Sequence, residues 1–351
     1  MVRLGFRTFV ILGFALCWSA PSWAATLVVP DDHLSIQEAI NAAVDGDRVE
    51  VLPGTYTERI SFDGKNIEVV GVGGADVTTI DAAGGGTVVR ANSLEPSSAL
   101  LQGFTIRGAR LDGRSDAVMV GGLRVNSDLR VRACVITDNA TNNGAGVRIR
   151  HAPGIYVDGG SPVFEGVIIH GNASSQSSGI DNFHGAGVYI RGGNALFENL
   201  LVYGNSTNRG SGIDIDQSGG VYVEAGSVTL RHATITANSI VRFSRGIHGG
   251  GLANRDGTVT VENSIIQGNI NLSNGANVSG PINATFSNFN GGEGTNIDAD
   301  PRFVDAANND FTLGCGSPSI DTGSSSLAVD IFGTQRPIDG DDNGVAVVDM
   351  G

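Results

Sequence analysis

The chain has little lysine, few aromatic residues and few cysteines. Its 351 residues include one lysine, Lys65, and 6% aromatic residues. So few aromatic residues, together with 52 glycines, argue against a helical globular core and favour a fold with many tight turns. Three cysteines do not make a disulfide-dense scaffold. We expect Cys134 to be a buried free thiol rather than the disulfide partner of the distant Cys315.

Long apolar runs are also scarce, and the most prominent one lies at the N-terminus. Arg3 and Arg7 precede an apolar run at 9–18, and small residues follow up to Ala24. This order is typical of a secretory signal peptide that is cleaved after Ala24. The run is shorter than the roughly 20 residues that cross a bilayer. We therefore predict an exported protein, secreted or held at the cell surface, without a transmembrane segment.

Basic residues are outnumbered by acidic ones. Without the two arginines of the predicted signal peptide, 20 basic residues face 36 acidic residues, a net charge of −16. Such a surface repels nucleic acid and other polyanions unless cations bridge them. We predict no nucleic-acid partner, and the oligomeric state stays open.

What the chain does contain is one short segment that recurs five times. The copies are LRVRACVITDN, PVFEGVIIHGN, ALFENLLVYGN, VTLRHATITAN and VTVENSIIQGN, and their last residues are 33, 33, 33 and 31 positions apart. Apolar residues within each copy lie two apart, which indicates strands, and a break in the alternation indicates a corner. Each copy ends in an asparagine: Asn139, Asn172, Asn205, Asn238 and Asn269.

Strands joined by corners and repeated at a fixed period predict the rungs of a parallel β-solenoid. Equivalent side chains then form columns about 4.8 Å apart. The apolar columns are expected to face inward, and we assign the terminal asparagines to a structural ladder of amides. One column is charged and expected to face solvent: Arg132, Glu165, Glu198, Arg231 and Glu262.

The N-terminal part of the mature chain carries the one clear helix signal. Ser35 and Glu38 form a capping box, and Ile36, Ile40 and Ala43 share a helical face. A short amphipathic helix at this place is expected to cover the open end of the solenoid core. We predict a solenoid with its cap at 25–285 and an acidic C-terminal extension at 286–351.

Two stretches carry a resemblance to known proteins. The stretch SIQEAINAAVDGDRVEVLPGTYTERISFDGKNIEVVG resembles the opening of right-handed parallel β-helix proteins of the pectin/pectate-lyase-like superfamily. The stretches NIDADPRFVDAANNDFTLGCGSPSIDTG and RPIDGDDNGVAVVDMG resemble the C-terminal region of exported β-helix proteins termed choice-of-anchor Q. The resemblance implies an all-β, right-handed parallel β-helix and a role with extracellular polysaccharide.

The same resemblance does not settle catalysis, because the superfamily mixes lyases, esterases, hydrolases and surface proteins without known activity. Its hydrolase pattern needs Asn-Thr-Asp and Arg-Ile-Lys, and neither occurs in this sequence. A lyase base is usually lysine or arginine. The only lysine lies in an early rung, so such a base would have to be an arginine.

One set of candidate site residues lies in the longer segments that follow the asparagines. Aligned on Gly-Ile, these segments place Asp181, Asp214 and His248 in one row. Other polar side chains occur close by in sequence: Arg245, Arg209, His184 and Asp216. Loops on one side of a solenoid often form a binding groove, which favours a glycan or cation site. The competing interpretation is that these residues cap loop turns and face solvent.

A second candidate is a calcium loop near the C-terminus. Asp339, Asp341 and Asn343 match the first half of a calcium-binding loop. Met350 stands where a bidentate glutamate is expected, with Asp349 one place earlier. Calcium binding and a simple acidic turn are both open.

Two functions follow from these observations. The preferred hypothesis is an exported surface or polysaccharide-binding protein without catalysis. The alternative is a polysaccharide lyase or hydrolase of pectate-lyase-like type, acting through Asp181, Asp214, His248 and Arg245. No cofactor other than Ca²⁺ is indicated.

Overall fold

The computed structural model describes residues 24–112, 118–147, 149–180, 182–213, 216–241, 246–272, 275–324, 327–340 and 344–351. Nearly all of the predicted signal peptide therefore lies outside the described residues. The described chain contains one α-helix, Ile36–Ala42, and one short 3₁₀ helix, Ala306–Asn308. No helix among these residues combines the length and the apolar character that crossing a membrane requires.

Most of the described strands belong to four parallel sheets, named here A to D. Sheet A contains Thr26–Val29, Arg48–Val51, Gly54–Tyr56, Glu68–Gly71, Thr78–Asp81, Leu100–Gln102, Thr105–Arg107, Arg130–Arg132, Val135–Thr137, Val163–His170, Asn194–Tyr203, Ser227–Thr236, Thr258–Glu262, Ile265–Ile266, Asn283–Thr285 and Asn288–Phe289. Sheet B contains Ile60–Ser61, Val89–Ala91, Leu123–Asn126, Ile155–Gly159, Val188–Ile190, Val221–Val223, Leu252–Asn254 and Val278–Ser279.

Sheets C and D lie between sheets A and B along the chain. Sheet C contains Arg110–Asp112, Ala140–Val147, Ala173–Ile180, Ser206–Ile213, Ser239–Ile240 and Ile270–Asn271. Sheet D contains Val118–Val120, Arg150–Ala152, Phe183–Gly185, Asp216–Ser218 and His248–Gly249. A separate antiparallel pair, Phe303–Asp305 with Asp310–Leu313, lies in the C-terminal extension.

The predicted parallel β-helix is confirmed by the register of sheet A. Phe164 pairs with Phe197, and Phe197 with Leu230, so equivalent positions of successive repeats stack directly. The predicted inward columns are buried, and Phe164 and Phe197 stack with their ring centroids 4.4 Å apart. The predicted corner is also present, since Asn199 and the equivalent residues of the other repeats have positive φ.

The asparagine ladder is confirmed as a continuous chain of hydrogen bonds. Asn172 Nδ2 donates to Asn205 Oδ1 at 3.0 Å, and Asn205 Nδ2 donates to Asn238 Oδ1 at 3.0 Å. Each amide also donates to backbone carbonyl groups of its own rung and of the preceding rung, as Asn205 does to Tyr203 and Ile169. Buried amides with every group engaged hold both the turn and the register between rungs.

The N-terminal helix that the capping box predicts is present, and it packs on the first rungs. Glu38 N donates to Ser35 Oγ, and Ile36, Ala39 and Ile40 are buried in the main core. Lys65 has a role that its rarity did not reveal. Its Nζ donates to the carbonyl oxygens of Ile40, Asn41 and Ala43 at 2.7 to 2.9 Å, which satisfies the C-terminal end of the helix.

The long segments after the asparagines differ from the expected loops. Their first halves pair in register as sheet C, with Ala140 opposite Ala173 and Ala173 opposite Ser206. Their second halves return as sheet D, and we call sheets C and D together the wing. These glycine- and serine-rich stretches have low strand propensity. They pair because three consecutive repeats have the same length, so each finds the same partner positions in the next rung.

The C-terminal extension packs on the outer face of sheet A. Asn199 Nδ2 donates to Val329 O at 2.9 Å, and Asn263 Oδ1 accepts a hydrogen bond from Ser324 N at 2.9 Å. Corner residues of the solenoid therefore anchor the extension. Both cysteines in the described residues are free thiols, Cys134 buried and Cys315 exposed, and burial raises the pKa of Cys134 to about 11.

Candidate functional site

Several residues of the predicted loop site cannot be placed. Asp181, Asp214 and Arg245 lie outside the described residues. Arg209 belongs to Ser206–Ile213, where its backbone pairs with Gln176. The predicted clustering of the two aspartates with Arg245 therefore stays a prediction.

The predicted alignment of His248 differs from the observed register. His248 pairs with Gln217, which in turn pairs with His184. His248 is thus in line with these sheet D residues rather than with Asp214. The last repeat is two residues shorter than the others. Alignment of the sequences on Gly-Ile therefore placed His248 out of its true register.

His184 and His248 face the interior of the wing. They are 1% and 4% exposed, respectively. His184 Nδ1 lies 3.2 Å from Ser174 Oγ, and its ring stacks on His151 with centroids 4.4 Å apart. Histidines in this position contribute to the packing between sheets C and D.

Asp216, in contrast, lies where sheet D packs against the outer face of sheet B. Its Oδ2 accepts hydrogen bonds from Tyr222 Oη and Arg255 Nη1, both at 3.1 Å. Its Oδ1 accepts from Ile247 N at 2.8 Å. The carboxylate therefore connects the wing to sheet B.

A column of tyrosines on sheet B forms the floor of this junction. Tyr156, Tyr189 and Tyr222 are fully buried and follow one another in register, with ring centroids 5.3 and 5.0 Å apart. Phe183 of sheet D packs on Tyr222. Each tyrosine lies between two strand residues whose side chains face the solenoid interior. Because side chains alternate along a strand, the tyrosines point outward. This makes a second hydrophobic cluster outside the main core.

Charged side chains of alternating sign line the rim of the junction, where the arginines are more exposed than the carboxylates. The register of sheet B puts one on each of four successive rungs: Asp158, Arg191, Glu224 and Arg255. Arg191 bonds Asp158 at 2.6 Å. Arg150 of sheet D bonds both carboxylate oxygens of Glu224 at 2.6 and 2.7 Å. We call the tyrosine column with this rim the seam.

The electrostatics of the seam fix its protonation state. Burial alone would raise the pKa of Glu224, but hydrogen bonds from Arg150 and Tyr189 lower it below the ordinary value. Burial raises the pKa of Tyr156 to about 12 and that of Tyr189 well above 10. The carboxylate is therefore ionised at neutral pH and the phenols are protonated, so Tyr189 Oη is the donor in its hydrogen bond to Glu224.

A sequence signal for the seam existed. A tyrosine is the second residue of Ile155–Gly159, of Val188–Ile190 and of Val221–Val223, with a charged residue close behind each time. The binding groove predicted from the sequence was placed on the segments that precede these strands. The strands themselves carry the outward-facing column.

The candidate calcium loop is described only in part, because Asp341 and Asn343 lie outside the described residues. Asp339 Oδ2 accepts a hydrogen bond from Gly344 N, and Asp349 Oδ1 accepts one from Asp321 N, both at 2.8 Å. These are turn-stabilising contacts. Within the described ranges no group of three or more His, Cys, Asp or Glu side chains is arranged to hold a metal ion.

A cavity of about 300 Å³ lies elsewhere, between the C-terminal extension and sheet A. Its walls are mainly apolar and include Leu201, Ile265, Phe311, Phe332 and Met350. Arg336 at its edge donates to Gly351 O at 2.7 Å, which is a contact within the extension. We regard this cavity as part of the packing of the extension, and the seam as the better candidate site because polar groups converge there.

Comparisons with known proteins add little to this geometry. No family model matches the chain, and no curated protein matches it in sequence. Among solved structures, a pectin methylesterase from carrot shares 15% identity at a TM-score of 0.35, over 75% of this chain and 90% of that chain. A pectin methylesterase from Aspergillus niger shares 15% identity at a TM-score of 0.34, over 69% and 87%. The parallel β-solenoid is established by the strand register itself.

Proposed function

We propose that this chain is an exported β-helix protein that binds an extracellular polysaccharide along the seam and does not cleave it. The observation that carries the proposal is the rim of alternating charge. Guanidinium groups are donors only, and carboxylates are acceptors only. A line of both at the strand spacing of about 4.8 Å offers partners to sugar hydroxyls, which donate and accept.

The rim also has the exposure that a binding surface needs. The side chains of Arg191 and Arg255 are 48% and 40% exposed, whereas the tyrosines below them are buried. The rigid floor and the ion pairs hold the charged groups in place before a ligand arrives. Preorganisation of this kind lowers the entropy cost of binding.

The described part of the seam favours binding over catalysis. A lyase needs a group that accepts a proton near neutral pH. The raised pKa of Tyr156 and Tyr189 makes these phenols poor bases. Glu224 and Asp216 are each engaged with an arginine and a tyrosine, so neither is free to transfer a proton without breaking an ion pair.

The experiment compares two arginines of similar exposure on different faces. Arg255 lies on the seam, and Arg231 bonds two glutamates on the outer face of sheet A, where its side chain is 42% exposed. Binding to a panel of plant and bacterial polysaccharides is measured by affinity electrophoresis and calorimetry. We expect Arg255→Gln to weaken binding about tenfold or more, and Arg231→Gln to leave it unchanged.

The same panel tests the enzyme alternative. Release of reducing ends and of unsaturated products is followed with and without Ca²⁺. Turnover that is lost in Arg255→Gln or in Asp214→Asn, but kept in Arg231→Gln, would contradict the non-catalytic proposal. Equal binding by all variants would show that the seam is not the binding surface.

A further inference from the structure

At the end of the seam formed by the earlier rungs, two arginines share one carboxylate. At the other end, Arg150 pairs with Glu224 and Arg255 pairs with Asp216. At this end, Arg124 and Arg191 share a single carboxylate, that of Asp158, at 3.4 and 2.6 Å. These three side chains together carry one positive charge, in a chain with a formal net charge of −14.

The same end contains two buried donors without a protein acceptor. Tyr156 is fully buried, and its hydroxyl group makes no hydrogen bond to any described residue. Arg124 Nε is likewise buried without an acceptor among those residues. The two groups are neighbours, because the Arg124 guanidinium lies 5.8 Å from the centre of the Tyr156 ring and the two residues are register partners. Unsatisfied buried donors are uncommon and costly, so two of them on paired neighbouring residues favour an acceptor between the rungs.

From these two observations together we infer that Arg124, Arg191 and Tyr156 form a subsite for one anionic group of the bound glycan. This inference rests on the proposed glycan-binding function. The anion is a carboxylate or a sulfate ester, since both accept from a guanidinium fork and a hydroxyl group. The Arg124 and Arg191 side chains are 33% and 48% exposed, and the Arg124 guanidinium lies over the Tyr156 ring. A change of rotamer at Arg124 gives the anion access to the hydroxyl group, while Arg191 keeps its ion pair with Asp158.

The rest of the rim restricts the ligand further. Farther along the seam lie the carboxylates of Glu224 and Asp216. Each is already paired with one arginine. A glycan with a charge on every sugar would place anions beside these carboxylates, where like charges repel. The subsite therefore favours a largely neutral glycan with isolated anionic substituents over a uniformly charged polyuronate.

The decisive variant is Tyr156→Phe, which removes only the hydroxyl group. Its matched control is Tyr203→Phe, on the outer face of sheet A, where Tyr203 stacks on His170. Binding is measured for neutral xylan, xylan with sparse glucuronate side groups, polygalacturonate and a sparsely sulfated galactan. We expect the sparse anionic glycans to bind the wild type best. We expect Tyr156→Phe and Arg124→Gln to weaken that binding about tenfold, without lowering the melting temperature of Tyr156→Phe.

The outcomes separate this inference from the proposed function. Equal binding of neutral and sparsely charged xylan, unaffected by Tyr156→Phe, overturns the subsite while seam binding stands. Strongest binding of polygalacturonate overturns the sparse-charge inference. If no glycan binds, the proposed function fails, and free glucuronate or sulfate then tests the subsite directly. Binding of either anion that is weakened in Tyr156→Phe supports the subsite, and the preferred anion identifies the source.

Discussion

At the scale of single residues, Asn205 shows how the rungs keep their register. Its side chain is fully buried and bonds the rung before it, its own turn and the next asparagine. We expect Asn205→Ala to lower the free energy of unfolding by about 1–3 kcal/mol, because the change orphans buried partners. Urea unfolding followed by circular dichroism measures this. Asn208→Ala, at an exposed position in the next strand, is the control, and equal effects of the two changes would contradict the ladder role.

At the same scale, the buried side chain of His151 leads us to predict a loss of stability in acid. Burial lowers its pKa from an ordinary value of about 6.5 to about 3. Between these two values the unfolded chain binds a proton that the folded chain does not, so stability falls as the pH falls through this window. The folded protein keeps this contribution in full only above about pH 6.5.

The variant His151→Gln tests this effect and has a model within the protein itself. Two rungs later Gln217 bonds Thr207 at 3.1 Å, as His151 bonds Thr141 at 3.2 Å. We expect the variant to lose less melting temperature than the wild type between about pH 7 and about pH 4. The control His33→Gln, outside the wing, should lose as much melting temperature over this pH range as the wild type does. An identical loss in wild type and His151→Gln would show that His151 does not contribute to it.

At the scale of elements, the N-terminal helix depends on charged residues from the first rungs. Glu58 accepts hydrogen bonds from Ile36 N and Gln37 N at 2.9 Å, and Lys65 bonds three carbonyl oxygens at the other end. A helix of 7 residues is too short to be stable without such contacts. We expect Lys65→Met to increase amide hydrogen exchange at 36–43 about tenfold while leaving the middle rungs unchanged, since a hydrogen bond to a charged group contributes roughly 1.5–3 kcal/mol.

The matched control for this change is Arg59→Met, which removes an exposed cation next in sequence to Glu58. Hydrogen exchange measured by mass spectrometry resolves the cap from the rungs. Equal protection at 36–43 in Lys65→Met and in the wild type would mean that burial of Ile36 and Ile40 alone holds the helix.

At the scale of the whole molecule, the acidic C-terminal extension motivates a test with calcium. We expect millimolar Ca²⁺ to raise the melting temperature, because a ligand that binds only the folded state stabilises it by mass action. The double variant Asp339→Ala, Asp341→Ala should lose the shift if the loop is the site. Scanning calorimetry measures both proteins with Ca²⁺ and with Mg²⁺ as the control. A wild-type melting temperature that Ca²⁺ does not change would exclude specific calcium binding.

Much of this fold could be predicted from the sequence because its information is local and repeated. Alternation within each copy predicts the strands, and the columns through Phe164, Phe197 and Leu230 fall in place once the period is known. The asparagine ladder follows for the same reason. The capping box of Ser35 and Glu38 lies within one helical turn, so the sequence alone also predicts the N-terminal helix.

The seam and the extension were decided only by the tertiary structure. Arg150 and Glu224 are 74 residues apart in sequence, and Asn199 and Val329 are 130 apart. The first contact depends on how the wing folds over sheet B. The second depends on where the chain returns after the last rung. The wing strands lack apolar alternation, so no periodicity marked them. Their order comes from pairing with equal-length neighbours in adjacent rungs, and that pairing places Arg150, Phe183 and Asp216 opposite the tyrosines.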